Sequence, residues 1–128
     1  MTRHLAFLGD ASVKAAEASE CAAEQGKFWE YREAIYRNQS GLRGAGAVAL
    51  LTRLGAEVGL DQGKLLACRD SGRYTQAVRA EGRGAEAAGI ESTPSILVDG
   101  QLVKGATGVP TAEELGAAIQ QALAKKGR

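Results

Sequence analysis

The chain has 128 residues, with 16 Lys+Arg against 15 Asp+Glu, one His and a net charge of +1 at pH 7. That length suits one domain with a modest core, and the near-balanced charge offers no field to draw nucleic acid or an anionic membrane. No segment approaches the apolar run needed to span a bilayer, and the first nine residues lack the long apolar stretch and small-residue cleavage site of a signal peptide. Glycine is abundant at 17 residues. Many glycines fall where helices should stop and alanine fills much of the rest, so a helix-rich α/β protein is expected.

Residues 3–8 form a short apolar run ended by Gly9, a candidate strand. Asp10 reads as the N-cap of a helix through Val13, Ala18 and Cys21 to Gln25, with Gly26 as its stop. A second helix begins at Lys27, with Phe28, Tyr31 and Ile35 on one face at i, i+3 and i+7. Asn38-Gln39-Ser40-Gly41 ends it, and the Gly-rich stretch to Gly46 reads as a loop. A third helix carries Val48, Leu51, Leu54 and Val58 on one stripe and stops at Gly59. Asp61 caps a short fourth helix with Leu65 and Cys68, ended by Ser71-Gly72. A fifth runs from about Arg73 to Ala88, weakened at Gly82 and Gly84 by about 1 kcal/mol each relative to Ala.

Gly89 then follows a helix end, and Thr93-Pro94 leads into Ser95-Ile96-Leu97-Val98-Asp99-Gly100-Gln101-Leu102-Val103. Asp-Gly suits a type I′ turn, because both central residues need φ > 0, so the two apolar runs should close into a hairpin. Pro at a strand start is tolerated, since the first residue need not donate to the ladder. After the hairpin, Thr111-Ala112-Glu113-Glu114 is a Ser/Thr-x-x-Glu capping box. The last helix places Leu115, Ile119 and Ala122 on one face.

Candidate chemical groups are few. His4 falls in the candidate strand with no nucleophile nearby, which reads as a structural or surface histidine rather than a proton shuttle. The spacing of Phe28, Trp29, Tyr31 and Tyr36 favours core packing over a ligand surface. Arg69, Arg73, Arg79 and Arg83 read as a solvated face. Gly82 and Gly84 lie inside a helical pattern rather than after a strand, so they make no phosphate loop. Two cysteines and one distant histidine are too few ligands for structural zinc. Cys21 and Cys68 are either a disulfide joining two helices or two buried free thiols acting as small apolar residues.

The order of strand, helical block, Thr-Pro, hairpin and helix resembles a thioredoxin-type domain. More specifically, Phe7-Leu8-Gly9, Ala15 to Ala22 and Gln25-Gly26-Lys27-Phe28-Trp29-Glu30-Tyr31 resemble the helical insertion of the DsbA-type thiol–disulfide oxidoreductases. Ala67-Cys68-Arg69-Asp70-Ser71-Gly72 and Gly89 to Pro94 are similar to later stretches of that family. The resemblance implies an α/β fold: a truncated thioredoxin-like domain, residues 1–128, with an inserted helical subdomain at about 10–72. It carries a short strand at 3–8, helices over about 11–89, a β-hairpin at 95–103 and a C-terminal helix at 112–125. It also implies a cis Thr93-Pro94 bond, a polypeptide substrate paired beside that loop at Thr93 and Pro94, and an extracytoplasmic setting. It favours the Cys21–Cys68 disulfide over two free thiols.

The departure concerns the redox centre. The family uses a Cys-x-x-Cys pair at a helix start, where the helix N-terminus stabilises the thiolate. This chain has no such pair. It is expected to start after the strand–Cys-x-x-Cys–helix unit, to hold no catalytic residue, cofactor or metal, and to be inactive in dithiol exchange. In such sheets the missing strand lies between the next strand and the hairpin, so a homodimer or strand-swapped assembly is expected. Neither a nucleic-acid nor a membrane partner is implied. Two other readings stand beside an incomplete oxidoreductase: a non-catalytic dimeric peptide-binding or assembly module, and a relative of the glutathione-transferase or isomerase branch. The second has Val-Pro more commonly where this chain has Thr93-Pro94.

Overall fold

The strand expected at 3–8 falls largely outside the described residues: the structure, a computed structural model, describes His4, Ala6 and residues 9–127. Among them the fold is mixed α/β, with six α-helices and one two-stranded antiparallel sheet, in keeping with a thioredoxin-like domain. Packing divides the chain into two compact units, Met1–Gly84 and Ala85–Arg128.

In the first unit, helix α1 (Asp10–Ala23) starts differently from expectation. Asp10 is not the N-cap. Gly9 takes that position with φ 86°, and its carbonyl accepts from Ser12 N at 3.0 Å. The left-handed glycine makes the turn itself, and Asp10 becomes the first helical residue, where a carboxylate suits the positive end of the helix.

Helix α2 (Phe28–Arg37) buries Tyr31 and Ile35, and half-buries Phe28. Trp29 and Tyr36, expected in the core, are instead 62% and 55% exposed. Helical geometry explains the correction: both lie roughly 150° around the helix from Tyr31. The loop expected after α2 opens with a 3₁₀ turn, Gln39–Leu42, whose Leu42 packs partly against the core.

Helix α3 (Ala47–Glu57) buries Leu51 and Leu54 from its predicted stripe. Gly55 faces helix α4 (Gln62–Asp70), where an added Cβ would lie 2.6 Å from Leu65 Cδ2. The missing side chain is what lets the two helices close. Asp61 caps α4 as expected, its Oδ1 accepting from Lys64 N at 2.9 Å. Helix α5 (Thr75–Ala87) contributes the buried Val78.

The core of this unit gathers Ala18, Cys21, Ala22, Tyr31, Ile35, Leu51, Leu54, Leu60, Leu65 and Cys68. Polar ties bind the turns around it. The buried Tyr31 hydroxyl donates to the Leu51 carbonyl at 2.7 Å, and burial holds that hydroxyl well above its usual titration range. Lys27 Nζ donates to the Val58 carbonyl at 2.7 Å. Gln25 Oε1 accepts from Asp61 N at 2.8 Å while its Nε2 donates back to Asp61 O at 3.3 Å. Arg69 departs from the solvated face expected of it. Its side chain is only 15% exposed and donates to Thr52 Oγ1 at 3.3 Å. A long stem on a helix that packs on both α1 and α3 is covered whichever way its charged head points.

The second unit is built on strands β1 (Ile96–Val98) and β2 (Gln101–Val103), paired antiparallel with Ile96 opposite Val103 and Val98 opposite Gln101. Asp99 and Gly100 turn between them with φ 49° and 77°, the two positive values that Asp-Gly predicts. Helix α6 (Ala112–Lys126) packs on the hairpin and begins with the full capping box. Thr111 Oγ1 accepts from Glu114 N at 3.2 Å, and the Glu114 carboxylate accepts from Thr111 N at 2.8 Å and Ala106 N at 3.0 Å. Those backbone N–H groups hold the Glu114 carboxyl below the usual carboxylate range. Lys126 Nζ reaches Asp99 Oδ1 at 2.8 Å, so the helix end is tied to the turn. Pro110 is the single buried residue of this unit among those described, while Leu97, Ile119 and Leu123 are 42%, 47% and 59% exposed.

Candidate substrate-binding loop and cysteine pair

The loop that leads into β1 is the first candidate site. α5 ends at Ala87, and Gly89 follows with φ 74°. The chain then runs through Ser92, Thr93 and Pro94, all exposed, and the Thr93–Pro94 peptide bond is cis. Ser95 Oγ donates to the Ser92 carbonyl, closing a short turn around the proline. The strand that follows has one hydrogen-bonded neighbour, β2, among the described residues. Chemically this segment can present backbone donors and acceptors to an extended polypeptide. Apart from hydroxyls, its one ionisable side chain is the exposed Glu91, and it holds no cysteine or histidine.

The cysteine pair lies in the other unit. Cys21, late in α1, and Cys68, late in α4, form a disulfide with Cα atoms 5.8 Å apart and a sequence separation of 47. Their residues are 1% and 2% exposed. Both half-cystines sit near helix C-termini, where the partial negative charge disfavours a thiolate. Burial acts in the same direction. This placement suits a cross-link between helices and opposes a role as nucleophile or leaving group.

Outside the disulfide, a groove of about 480 Å³ is lined by Glu24, Gln25, Lys64, Ala67, Cys68 and Arg73. Two of its charged groups, Glu24 and Arg73, pair with each other, while Lys64 makes no ion pair among the described residues. Arg73 donates through Nε at 2.9 Å and through a terminal nitrogen to the two oxygens of Glu24, and the Tyr74 hydroxyl donates to Glu24 Oε1 at 2.7 Å. The Arg73 guanidinium, helped by the Tyr74 hydroxyl, holds the Glu24 carboxyl below its ordinary range; the same contacts raise Arg73 and Tyr74. Sequence reading missed this cluster, because Glu24 and the Arg73-Tyr74 pair are some fifty positions apart and carry no local pattern.

Because the folded carboxyl of Glu24 titrates below its unfolded value, the cluster adds stability above the ordinary carboxylate range and loses it as pH falls through the lowered value. A Glu24→Gln variant is therefore expected to be less stable than the parent near neutrality and equal to it in strong acid. Urea midpoints measured across that range check this; a gap that stays constant with pH overturns it.

His4 lies with two carboxylates rather than beside a nucleophile. Its Nε2 is 2.8 Å from Glu20 Oε1 and its backbone N–H donates to Glu81 Oε2 at 2.6 Å, with the ring edge-on to Phe28. Among the described residues no group of three or more His, Cys, Asp or Glu side chains is placed to hold a metal. Nor is any described helix long and apolar enough to cross a membrane.

Comparison with known proteins adds the family. The chain is 34% identical over 110 residues to the Na(+)/H(+) antiporter NhaA 3 of Salinispora tropica, covering 86% of this chain and 16% of the antiporter. It is 33% identical over 91 residues to the Na(+)/H(+) antiporter NhaA of Herminiimonas arsenicoxydans, covering 71% of this chain and 14% of that protein. For the Na(+)/H(+) antiporter NhaA 1 of Salinispora arenicola the values are 31% over 110 residues, 86% and 16%. The chain thus spans a small fraction of the curated relatives it matches, and their names describe far longer proteins. A family model described as thioredoxin matches residues 1–121, so with its hairpin, capped final helix and mixed α/β order the chain belongs to the thioredoxin family.

Proposed function

We propose that this chain is the polypeptide-binding part of a DsbA-like thiol–disulfide module, with Thr93 and Pro94 receiving an extended substrate, and that it does not exchange dithiols by itself. One observation carries the reading. The only two cysteines are locked in a buried disulfide, while Thr93 and Pro94 stand exposed at the entry of a strand whose one hydrogen-bonded neighbour among the described residues is β2. A strand edge offers backbone pairing to a peptide, and to a strand of a redox-bearing segment or a second copy of the chain. Thioredoxin-family membership supports the substrate class, and the resemblance of the helical stretch from Ala15 to Tyr31 supports the DsbA-like branch. Matching a minor part of three long antiporters is in keeping with a module built onto larger proteins.

The test has two arms on the intact chain. In the first, the chain is added to insulin and dithiothreitol, and the expected result is precipitation no faster than without it. Acceleration would overturn the inactive reading. In the second, a reduced cysteine-containing peptide is titrated against the ¹⁵N-labelled protein. Shifts are expected at the amides of residues 92–98; shifts confined elsewhere, or none, would overturn the binding role of Thr93 and Pro94.

A further inference from the structure

The hairpin unit leaves large apolar side chains in contact with solvent. From Ala85 onward Pro110 is the single buried residue among those described, while Leu97, Val109, Ile119 and Leu123 are 42%, 51%, 47% and 59% exposed. Apolar side chains gathered in this way mark an interaction surface. Two of them belong to a pattern on α6. That helix packs on the hairpin, and its half-buried residues are Glu114, Leu115, Ala118 and Ala122. About a third of a turn away, Ala112, Gly116, Ile119 and Leu123 follow one another at spacings of four, three and four, and all are exposed. Alternation of four and three is the spacing of a seam between two helices.

The seam is uneven, and its unevenness selects what fits it. Its first half is small, Ala112 and Gly116, and its second half is large, Ile119 and Leu123. A Cβ added at Gly116 would meet nothing within 4 Å, so the space above that residue is open. A second α6 laid antiparallel seats the Leu123 of each copy over the Gly116 of the other, with Ile119 beside the two-fold axis. Laid parallel, the two leucines collide and the two glycines face a gap. Charge agrees with shape. Glu113 and Glu114 lie in the first turn and Lys125 and Lys126 in the last, so antiparallel copies set acidic ends beside basic ones. Parallel copies would set like beside like.

We infer that the Ala112–Gly116–Ile119–Leu123 stripe of α6 is the interface with a second copy of this chain, the two helices packed antiparallel about a two-fold axis near Ile119. The whole chain carries a net charge of +1, so two copies approach without appreciable repulsion. A helix of 15 residues is about 22 Å long. One stripe of that length buries on the order of 800 Å² over both copies, below the standard interface, so the dimer is weak, with Kd about 100 µM. At the few micromolar of an unfolding measurement the chains are therefore separate and the face is open.

Sedimentation equilibrium of the whole chain, from about 5 µM to about 1 mM, reads the association directly. A monomer–dimer equilibrium is expected, weakened at least about tenfold by Ile119→Glu, which sets two like charges at the axis. Gly116→Leu fills the seat of the other copy's Leu123 and should also weaken it, while its Cβ meets nothing in its own chain. Circular dichroism checks that both variants fold. Orientation is read by oxidation: Ile119→Cys should give a covalent dimer and Leu123→Cys should not, since antiparallel copies hold their two Leu123 Cα atoms at least about 10 Å apart. A chain that stays monomeric throughout overturns the proposal. So does a dimer that Ile119→Glu leaves unchanged, the mark of pairing through strands, or equal cross-linking at the two positions. These readouts do not involve Thr93 or Pro94, so either site can fail without the other.

Discussion

Replacing Cys21 and Cys68 together by alanine is expected to cost about 2–4 kcal/mol of stability. The cross-link spans 47 positions, so its loss frees a long loop in the unfolded chain. In the chain-entropy view a loop of that size is worth about 4 kcal/mol, less whatever strain the native state carries. On the folded side the two buried sulfur atoms leave a small void, which adds to the loss, while alanine buries no polar group. Serine would add two buried hydroxyls and confuse the reading. The measurement is urea unfolding followed by far-ultraviolet circular dichroism, on the parent, the parent under dithiothreitol, and the double variant. Trp29 emission is a poor monitor, since that side chain is 62% exposed in the folded state. A loss below about 0.5 kcal/mol, the range of ordinary surface changes, would show that the disulfide does not staple α1 to α4.

Leu54→Ala is expected to cost about 2–5 kcal/mol, as large-to-small changes at closed sites do. Leu54 is 0% exposed in the cluster that includes Tyr31, Leu51, Leu60 and Leu65, so no solvent can fill the space it leaves. Gly55, its neighbour, already holds α3 close against Leu65, which limits how far the helices can shift to collapse a cavity. The matched control is Leu123→Ala in α6, where the side chain is 59% exposed and the change should stay within about 0.5 kcal/mol. Comparable losses for the two variants would mean that Leu123 is covered in solution, and would overturn the contrast between a closed helical core and an open α6 face.

Local signals in the sequence carried to the structure wherever a few neighbouring residues settle the outcome. Asp61 caps α4 and Thr111 with Glu114 caps α6, because a side-chain oxygen two or three residues from an unpaired N–H needs no distant partner. Asp99-Gly100 makes the turn and thereby the register of β1 on β2, since both φ values must be positive there. The apolar stripe of α3 and the Tyr31–Ile35 pair of α2 reached the core because helical periodicity alone puts them on one side. At the start of α1 two adjacent residues competed for the cap, and the backbone freedom of Gly9 prevailed over the side chain of Asp10.

Everything that joins distant segments was decided by the tertiary structure. An aromatic residue counts toward a core in composition, yet Trp29 and Tyr36 face outward because they lie on the side of α2 opposite the buried Tyr31 and Ile35. Arg69 looks like a surface charge until α4 packs between α1 and α3 and covers its stem. Two cysteines in a sequence allow a bond or two thiols, and only the approach of α1 to α4 brings their Cα atoms to bonding distance. Glu24, Arg73 and Tyr74 likewise meet through that approach. The sequence by itself determined the elements, their caps, their turns and their apolar faces, all interactions within one or two turns of chain. Which faces stay open, which charges pair and which cysteines bond depend on how helices pack, and no local pattern encodes that.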